Sequence, residues 1–108
     1  MDWLDVVRKS FELGSVYVTR HAREEMEREE FGEIATFELV EAVGNMELIE
    51  EYPDDKPYAS ALILGTTDDN RPIHFVCAYD RDTETTTVVT VYQPDPGRWI
   101  NFRKRKSL

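Results

Sequence analysis

The sequence predicts a two-layer α+β fold, in which N-terminal helices pack on one face of a mainly antiparallel sheet of four to five strands. Helical patterns with capping residues occupy the first 44 residues, and four strand-like segments follow them. The turns between those four segments are short, and short turns join antiparallel neighbours. A chain of 108 residues is long enough for one core, so we expect a single domain over residues 1–108.

Three helices are expected before residue 45. In the first, Trp3, Val7 and Phe11 recur on one helical face, and Gly14 ends the helix. The second follows a short strand and has Thr19 as its expected N-cap, and the third is expected to be capped by its own first residue. The three expected helices are Asp2–Leu13, Arg20–Glu30 and Thr36–Val43.

The strand-like segments are bounded by clusters of Pro, Asp, Asn and Gly, which favour turns. The expected strands are Val16–Thr19, Met46–Tyr52, Tyr58–Thr66, Pro72–Asp80 and Thr85–Gln93. Pro94–Gly97 is expected to end the sheet.

The net charge is −9, but it is unevenly distributed. Residues 1–97 hold all 22 acids and 8 of the 13 bases, whereas the last eleven residues hold five bases and no acid. Those bases alternate with Trp99 and Phe102, so the segment could contact phosphates and stack on bases. The alternative is a solvated tail that balances an acidic body.

The apolar segments, the single cysteine and the spacing of possible metal ligands indicate where the protein is expected and whether it holds a metal. No segment is long enough to cross a membrane, and one cysteine suits a reducing compartment, so a cytoplasmic protein is expected. Cys77 is expected to pack as a small hydrophobic residue. The histidines, cysteine and carboxylates lack the spacing of metal ligands, and no cofactor is expected.

The two histidines are the candidate catalytic groups, because imidazole titrates near neutral pH. His21 lies at a strand-to-helix junction, one turn before Glu25. His74 lies within a strand, and alternation puts it on the face opposite Phe75 and Cys77, where an antiparallel sheet can meet solvent. Depending on the strand register, its expected neighbours are Tyr58 or Ser60, Thr90 or Tyr92, with Arg98 close by.

Four ordered motifs carry a resemblance to a known family. They are Thr19-x-His21-Ala22-x-x-x-Met26, the segment from Glu50 to Gly65, Arg71-Pro72-Ile73-His74-Phe75-Val76-Cys77-Ala78, and Thr90-Val91-Tyr92-x-Pro94-Asp95-Pro96-x-x-Trp99. From about Tyr17 to Arg103 the chain resembles the domain-of-unknown-function family DUF4258 of small bacterial proteins. That family is distantly similar to the RelE/ParE- and MqsR-like toxins of type II toxin–antitoxin pairs. The resemblance implies a RelE-like fold, a metal-independent endoribonuclease activity and an antitoxin partner, in some members a zinc-finger protein of the YgiT type.

Such a ribonuclease needs a general base, a general acid and cations for the phosphate. We expect His74, His21 and Tyr92 to be catalytic, and Arg71, Arg98, Arg20, Tyr58 and Trp99 to bind RNA. The acidic body favours one alternative, a non-catalytic protein-binding module. A small-molecule-binding or other hydrolytic domain, with His74 lining a pocket, is the other.

Overall fold

The computed structural model describes residues 1–107 and has two layers of regular structure. Within this range the helices are α1 (Trp3–Leu13), α2 (Arg20–Arg28) and α3 (Thr36–Val43). The strands are β1 (Val16–Val18), β2 (Met46–Tyr52), β3 (Ser60–Thr66), β4 (Pro72–Asp80), β5 (Thr85–Tyr92), β6 (Trp99–Ile100) and β7 (Lys104–Arg105). None of the described helices has the length and apolar character needed to cross a membrane.

The helix ends follow from local hydrogen bonds. Thr19 caps α2 as predicted, because its hydroxyl accepts a hydrogen bond from the backbone N–H of Ala22 at 3.1 Å. α2 ends at Arg28 and not at Glu30, because the chain becomes extended at Glu29, whose carboxylate bonds the N–H groups of Phe31 and Gln93.

The start of α3 differs from the prediction. Thr36 is the first helical residue and not the cap, so the cap position falls on Ala35, which has no polar side chain. The carboxylate of Glu38 compensates by accepting a hydrogen bond from the Ala35 N–H at 2.9 Å.

The predicted α+β fold is confirmed, with five strands in the main sheet. The five main strands lie in the order β1-β5-β4-β3-β2, and β2 to β5 form the predicted antiparallel meander. β1 joins the sheet at the far edge, where it pairs in parallel with β5 from Val16 opposite Thr86. The sheet is therefore mixed, and α2 connects β1 to the rest of the chain over one face.

The main core lies between the helices and one face of the sheet. Ile73, Phe75 and Cys77 of β4 are fully buried there, with Val88 and Val91 of β5. Cys77 packs as a hydrophobic residue, as predicted, and burial raises the pKa of its thiol.

The opposite face of the sheet is covered by a segment that the sequence does not predict. After the expected stop at Pro94–Gly97, the strands β6 and β7 pair as a short hairpin, with Trp99 opposite Arg105. We call residues 94–107 the strap. It crosses the sheet above Leu64 and His74, which are both buried.

Gly65 fixes how closely α3 approaches β3. A Cβ atom built on Gly65 would lie 2.6 Å from the Ala42 Cβ and closer still to the Ala42 carbonyl oxygen. We expect Gly65→Ala to lower the free energy of unfolding by about 1–3 kcal/mol, the usual cost of overpacking a core. Denaturant titration measures the change. The matched control is Gly44→Ala, because Gly44 is exposed and has helical backbone angles. Equal stabilities of the two variants would contradict the close contact.

Candidate active-site groove

His74 lies where alternation predicts, but the face it occupies is not open. The side chain is 0% exposed because the strap covers it. In the sheet His74 lies between Leu64 of β3 and Tyr92 of β5, so the predicted Tyr92 neighbour is confirmed. The predicted Ser60 and Tyr58 neighbours are wrong, because Ser60 pairs with Ala78 and Tyr58 lies before β3 begins.

Two hydrogen bonds show which ring nitrogen of neutral His74 carries the proton. Its Nε2 lies 2.6 Å from the carbonyl oxygen of Phe102, and its Nδ1 lies 3.1 Å from the hydroxyl of Tyr92. A carbonyl can only accept, so Nε2 carries the proton and donates it. Nδ1 of the neutral ring then accepts, and the Tyr92 hydroxyl donates to it.

Burial keeps His74 neutral. Removal from water lowers the pKa of His74 below its ordinary value, and the hydrogen bond to Phe102 opposes this only in part. Burial also raises the pKa of Tyr92 to about 12, so its hydroxyl stays protonated. At neutral pH both side chains are therefore uncharged, and the imidazole of His74 accepts a hydrogen bond from the phenol of Tyr92.

The Phe102 carbonyl reaches His74 because of a tight turn. Asn101 and Phe102 both have positive φ angles, 51° and 62°, as in the hairpin turns that reverse a two-stranded ribbon. A left-handed conformation is unfavourable for phenylalanine and costs about 1–2 kcal/mol. The hydrogen bond from His74 and the packing of the strap hold this conformation.

Salt bridges and an aromatic contact hold the rest of the strap. Arg103 bonds Glu47 at 2.7 Å and Arg105 bonds Glu50 at 3.0 Å, and the bond to Arg105 lowers the pKa of Glu50. Arg105 also lies over the Trp99 ring, 4.6 Å from its centroid. The basic C-terminus is therefore a folded cover paired with acids of β2, and not a solvated tail.

Trp99, a predicted base-stacking residue, is packed inside this cover. It is 5% exposed, and its ring meets the His74 ring edge-on with centroids 4.5 Å apart. Its predicted role in RNA binding would need the strap to move.

Arg71, predicted to bind phosphate, is occupied by the protein. Its Nε donates to the Gln93 side-chain oxygen at 2.7 Å, and its NH1 donates to the Glu33 carbonyl at 2.9 Å and to the Glu38 carboxylate at 3.2 Å. Its NH2 donates to the Gly32 carbonyl. Arg71 thereby ties the α2–α3 loop to the ends of β4 and β5.

His21 is the accessible histidine. It is 70% exposed, and its Nε2 lies 3.4 Å from Oε1 of Glu25, one helical turn later. Glu25 also accepts a hydrogen bond from the Val91 N–H at 3.1 Å, which fixes the carboxylate against β5. Burial raises the pKa of Glu25, while the Val91 bond and His21 partly oppose the rise.

A groove runs along the end of β5 between α2 and the strap. Its α2 half is lined by His21, Glu24, Glu25, Arg28, Glu29, Glu30 and Tyr92. Its strap half is lined by Glu29, Glu30, Tyr92, Gln93, Asp95, Gly97, Arg98, Trp99, Arg105 and Lys106. Tyr92, Glu29 and Glu30 belong to both halves, so the predicted residues His21, Tyr92 and Arg98 lie along one continuous surface.

Two other predicted residues are not part of that surface. The Tyr58 hydroxyl donates to Asp80 at 3.1 Å, at the end of β4 opposite to His74. Six residues separate His74 from Asp80, about 20 Å along a strand. Arg20 begins α2 and is exposed beside His21, outside the lining of either half. The roles predicted for both residues stay predictions.

Gln93, Asp95 and Lys106 line the groove although no role was predicted for them. Gln93 and Asp95 lie immediately after Tyr92 in the fourth motif, so that motif could have indicated them. Lys106 gave no local signal, because it lies in a run of charges whose partners are set by the folded chain.

The buried neutral state of His74 has a pH-dependent consequence. In the unfolded chain its imidazole gains a proton near pH 6.5, whereas the folded protein, with the lowered pKa, resists protonation. The unfolded state thus binds more protons. The contribution of His74 to the free energy of unfolding is fully present above about pH 6.5. It is lost as the pH falls from there through the lower pKa that His74 has in the folded protein.

We therefore expect the free energy of unfolding to fall more steeply between pH 7 and pH 5 in the wild type than in His74→Gln. The glutamine cannot titrate but can still donate to Phe102. Urea titrations at several pH values give the two slopes, and groups common to both proteins cancel in the comparison. Parallel slopes would show that His74 protonates equally in both states.

The chain was compared with protein families, curated proteins and solved structures. A family described as "Domain of unknown function (DUF4258)" matches residues 18–93, more than half of the chain. The match includes the whole of α2 and continues to Gln93, and it ends where the strap begins. No curated protein and no solved structure matches the chain. The motifs and the extent of the match together show that the chain belongs to the DUF4258 family.

Proposed function

We propose that this protein is a metal-independent endoribonuclease of the type II toxin kind, with the groove between α2 and the strap as its active site. The observation that carries the proposal is the alignment of His21 and Tyr92 along one groove, with neutral His74 bonded behind Tyr92. Two proton-transfer groups facing one site are the minimum for RNA cleavage without a metal.

The groups have complementary roles in this reaction. The RNA 2′-hydroxyl attacks the adjacent phosphorus, and its proton passes to the Tyr92 oxygen as Tyr92 gives its own proton to Nδ1 of His74. The bond from phosphorus to the 5′ oxygen breaks, and that oxygen takes a proton from the imidazolium form of His21. The products are a 2′,3′-cyclic phosphate and a 5′-hydroxyl.

The surroundings of these groups support the roles. Nδ1 of His74 lies 3.1 Å from the Tyr92 hydroxyl and is unprotonated in the neutral ring, so it can take the proton from Tyr92. Burial disfavours the charged ring, so the proton is held there only until it returns to Tyr92. Oε1 of Glu25 lies 3.4 Å from Nε2 of His21 and can pair with the protonated ring. His74 does not touch the substrate in this scheme, so its role is that of a relay behind Tyr92.

Charge in the groove sets the path of the RNA. Glu24 lines the α2 half and Glu29 and Glu30 line both halves, where they repel phosphate, whereas Arg98 and Lys106 line only the strap half. We therefore expect the RNA backbone to follow the strap, with Arg28 reaching the scissile phosphate from α2. Arg71 is excluded from this role because its hydrogen bonds hold the α2–α3 loop.

A toxin of this kind is expected to have an antitoxin partner, and we propose a small zinc-finger protein of the YgiT type. The exposed face of α3 supports a protein contact, since Phe37 is 63% and Val40 is 55% exposed and they lie one turn apart. The same face favours a second candidate function, a non-catalytic protein-binding module. Catalysis by the purified protein discriminates between the two.

The test uses RNA incubated with the purified protein in EDTA, which removes divalent metals. We expect cleavage that leaves 2′,3′-cyclic phosphate ends. We expect His21→Gln to lower kcat/KM by about 10²–10⁴-fold, the usual contribution of a general acid. Tyr92→Phe removes the hydroxyl and should lower it by a similar factor.

Matched controls separate catalysis from folding. Tyr17→Phe also removes one phenolic hydroxyl, from an exposed residue of β1 that lines neither half of the groove, and should leave cleavage unchanged. Thermal melting of each variant checks that the fold is retained. Absence of cleavage by the wild type, or full activity in a folded His21→Gln, would overturn the nuclease proposal and favour the binding module.

A further inference from the structure

The strap half of the groove has a volume of about 860 Å³, within the range of sites that enclose small ligands. Several of its polar groups are already used by the protein. Glu29 bonds the N–H groups of Phe31 and Gln93, and Arg105 bonds Glu50. The polar side chains that remain for a ligand are those of Glu30, Gln93, Asp95, Arg98 and Lys106.

The Gln93 amide has a fixed orientation. Its side-chain oxygen accepts from Nε of Arg71 at 2.7 Å, and arginine has no acceptor, so the atom bound to Arg71 must be oxygen. The amide NH₂ has no partner within residues 1–107, and no buried side-chain nitrogen or oxygen in that range lacks one. The NH₂ group is therefore open to solvent and presents donors. Arg71 acts here as a positioning residue.

Asp95 supplies acceptors two residues further along. Its Oδ1 accepts from the Gly97 N–H at 2.8 Å, which holds the carboxylate in place. Two carboxylate oxygens offer about four lone pairs, so acceptor capacity remains for a ligand. The strap half of the groove thus presents a donor from Gln93 and a pair of acceptors from Asp95 in one lining.

Two cations complete the set. Within residues 1–107, neither Arg98 nor Lys106 forms an ion pair, in contrast to Arg103 and Arg105 of the same strap. The Lys106 N–H donates to the Arg98 carbonyl at 2.9 Å, which keeps the two residues adjacent. Uncommitted, adjacent cations favour a phosphate group.

We infer that the strap half of the groove is a guanine-nucleotide subsite that reads one base of the RNA substrate, which rests on and deepens the proposed nuclease function. Guanine presents two neighbouring N–H donors, N1 and N2, beside the O6 acceptor. The donors pair with the Asp95 carboxylate and O6 pairs with the Gln93 NH₂, while Arg98 and Lys106 hold the phosphate. No other RNA base offers two adjacent donors on this edge.

Binding of mononucleotides to the full chain tests the inference without requiring cleavage. Isothermal titration with 5′-GMP, 5′-AMP, 5′-CMP and 5′-UMP should give a Kd for 5′-GMP at least about tenfold lower than for the others, the scale of one well-paired base contact. Gln93→Glu keeps an oxygen that accepts from Arg71 but puts a second acceptor in place of the NH₂ donor. Asp95→Asn keeps an oxygen that accepts from the Gly97 N–H but puts an NH₂ donor in place of the other acceptor. Each should reduce the 5′-GMP preference by about tenfold.

The control is Asp82→Asn, which makes the same change on an exposed carboxylate in the β4–β5 turn and should leave the preference intact. Equal binding of the four nucleotides, or a preference unaffected by both groove variants, overturns the inference even if the wild type cleaves RNA. Selective 5′-GMP binding by a protein that cleaves no RNA supports the subsite and removes the nuclease proposal. The two ideas therefore fail by different results.

Discussion

The hydrogen bond from His74 to the Phe102 carbonyl is the contact on which the groove depends. It joins the middle of the sheet to the tip of a hairpin whose left-handed phenylalanine is unfavourable by itself. The ring can make this bond because it keeps a proton on Nε2 while its other nitrogen accepts from Tyr92. Without the bond, the strap would lose its deepest attachment and the groove one of its two walls.

Ion pairs also hold the strap against the sheet. The acidic body would gain nothing from a free basic tail, since exposed charges are screened by salt. In the folded protein Arg103 and Arg105 meet Glu47 and Glu50 on β2. The two glutamates are three residues apart, yet both face the strap because a bulge shifts the register between Leu48 and Glu50. Exposed pairs are individually weak, so they determine where the strap lies more than they stabilise it.

Elements formed by interactions between residues close in sequence were predicted correctly, and those formed by residues far apart in sequence were not. The helices and the β2–β5 meander follow from local periodicity, caps and turns, and all of these elements were predicted within a few residues. The strap was not predicted, because it has few apolar residues and its charge partners lie more than fifty residues earlier. The alternation of side chains along β4 predicted the correct face of the sheet for His74. It also predicted that this face is open to solvent, which is wrong because the strap covers it.

Arg71 and His74 illustrate how two residues of one motif can serve a site that neither lines. They lie on opposite faces near the start of β4, and each bonds the residue at the end of β5 on its own face, Gln93 and Tyr92 respectively. Because the groove lies at the end of the sheet, it can draw side chains from both faces. A substitution of Arg71 or His74 would therefore disturb the proposed ligand contacts through Gln93 or Tyr92, and loss of function alone would not show that either residue touches a ligand.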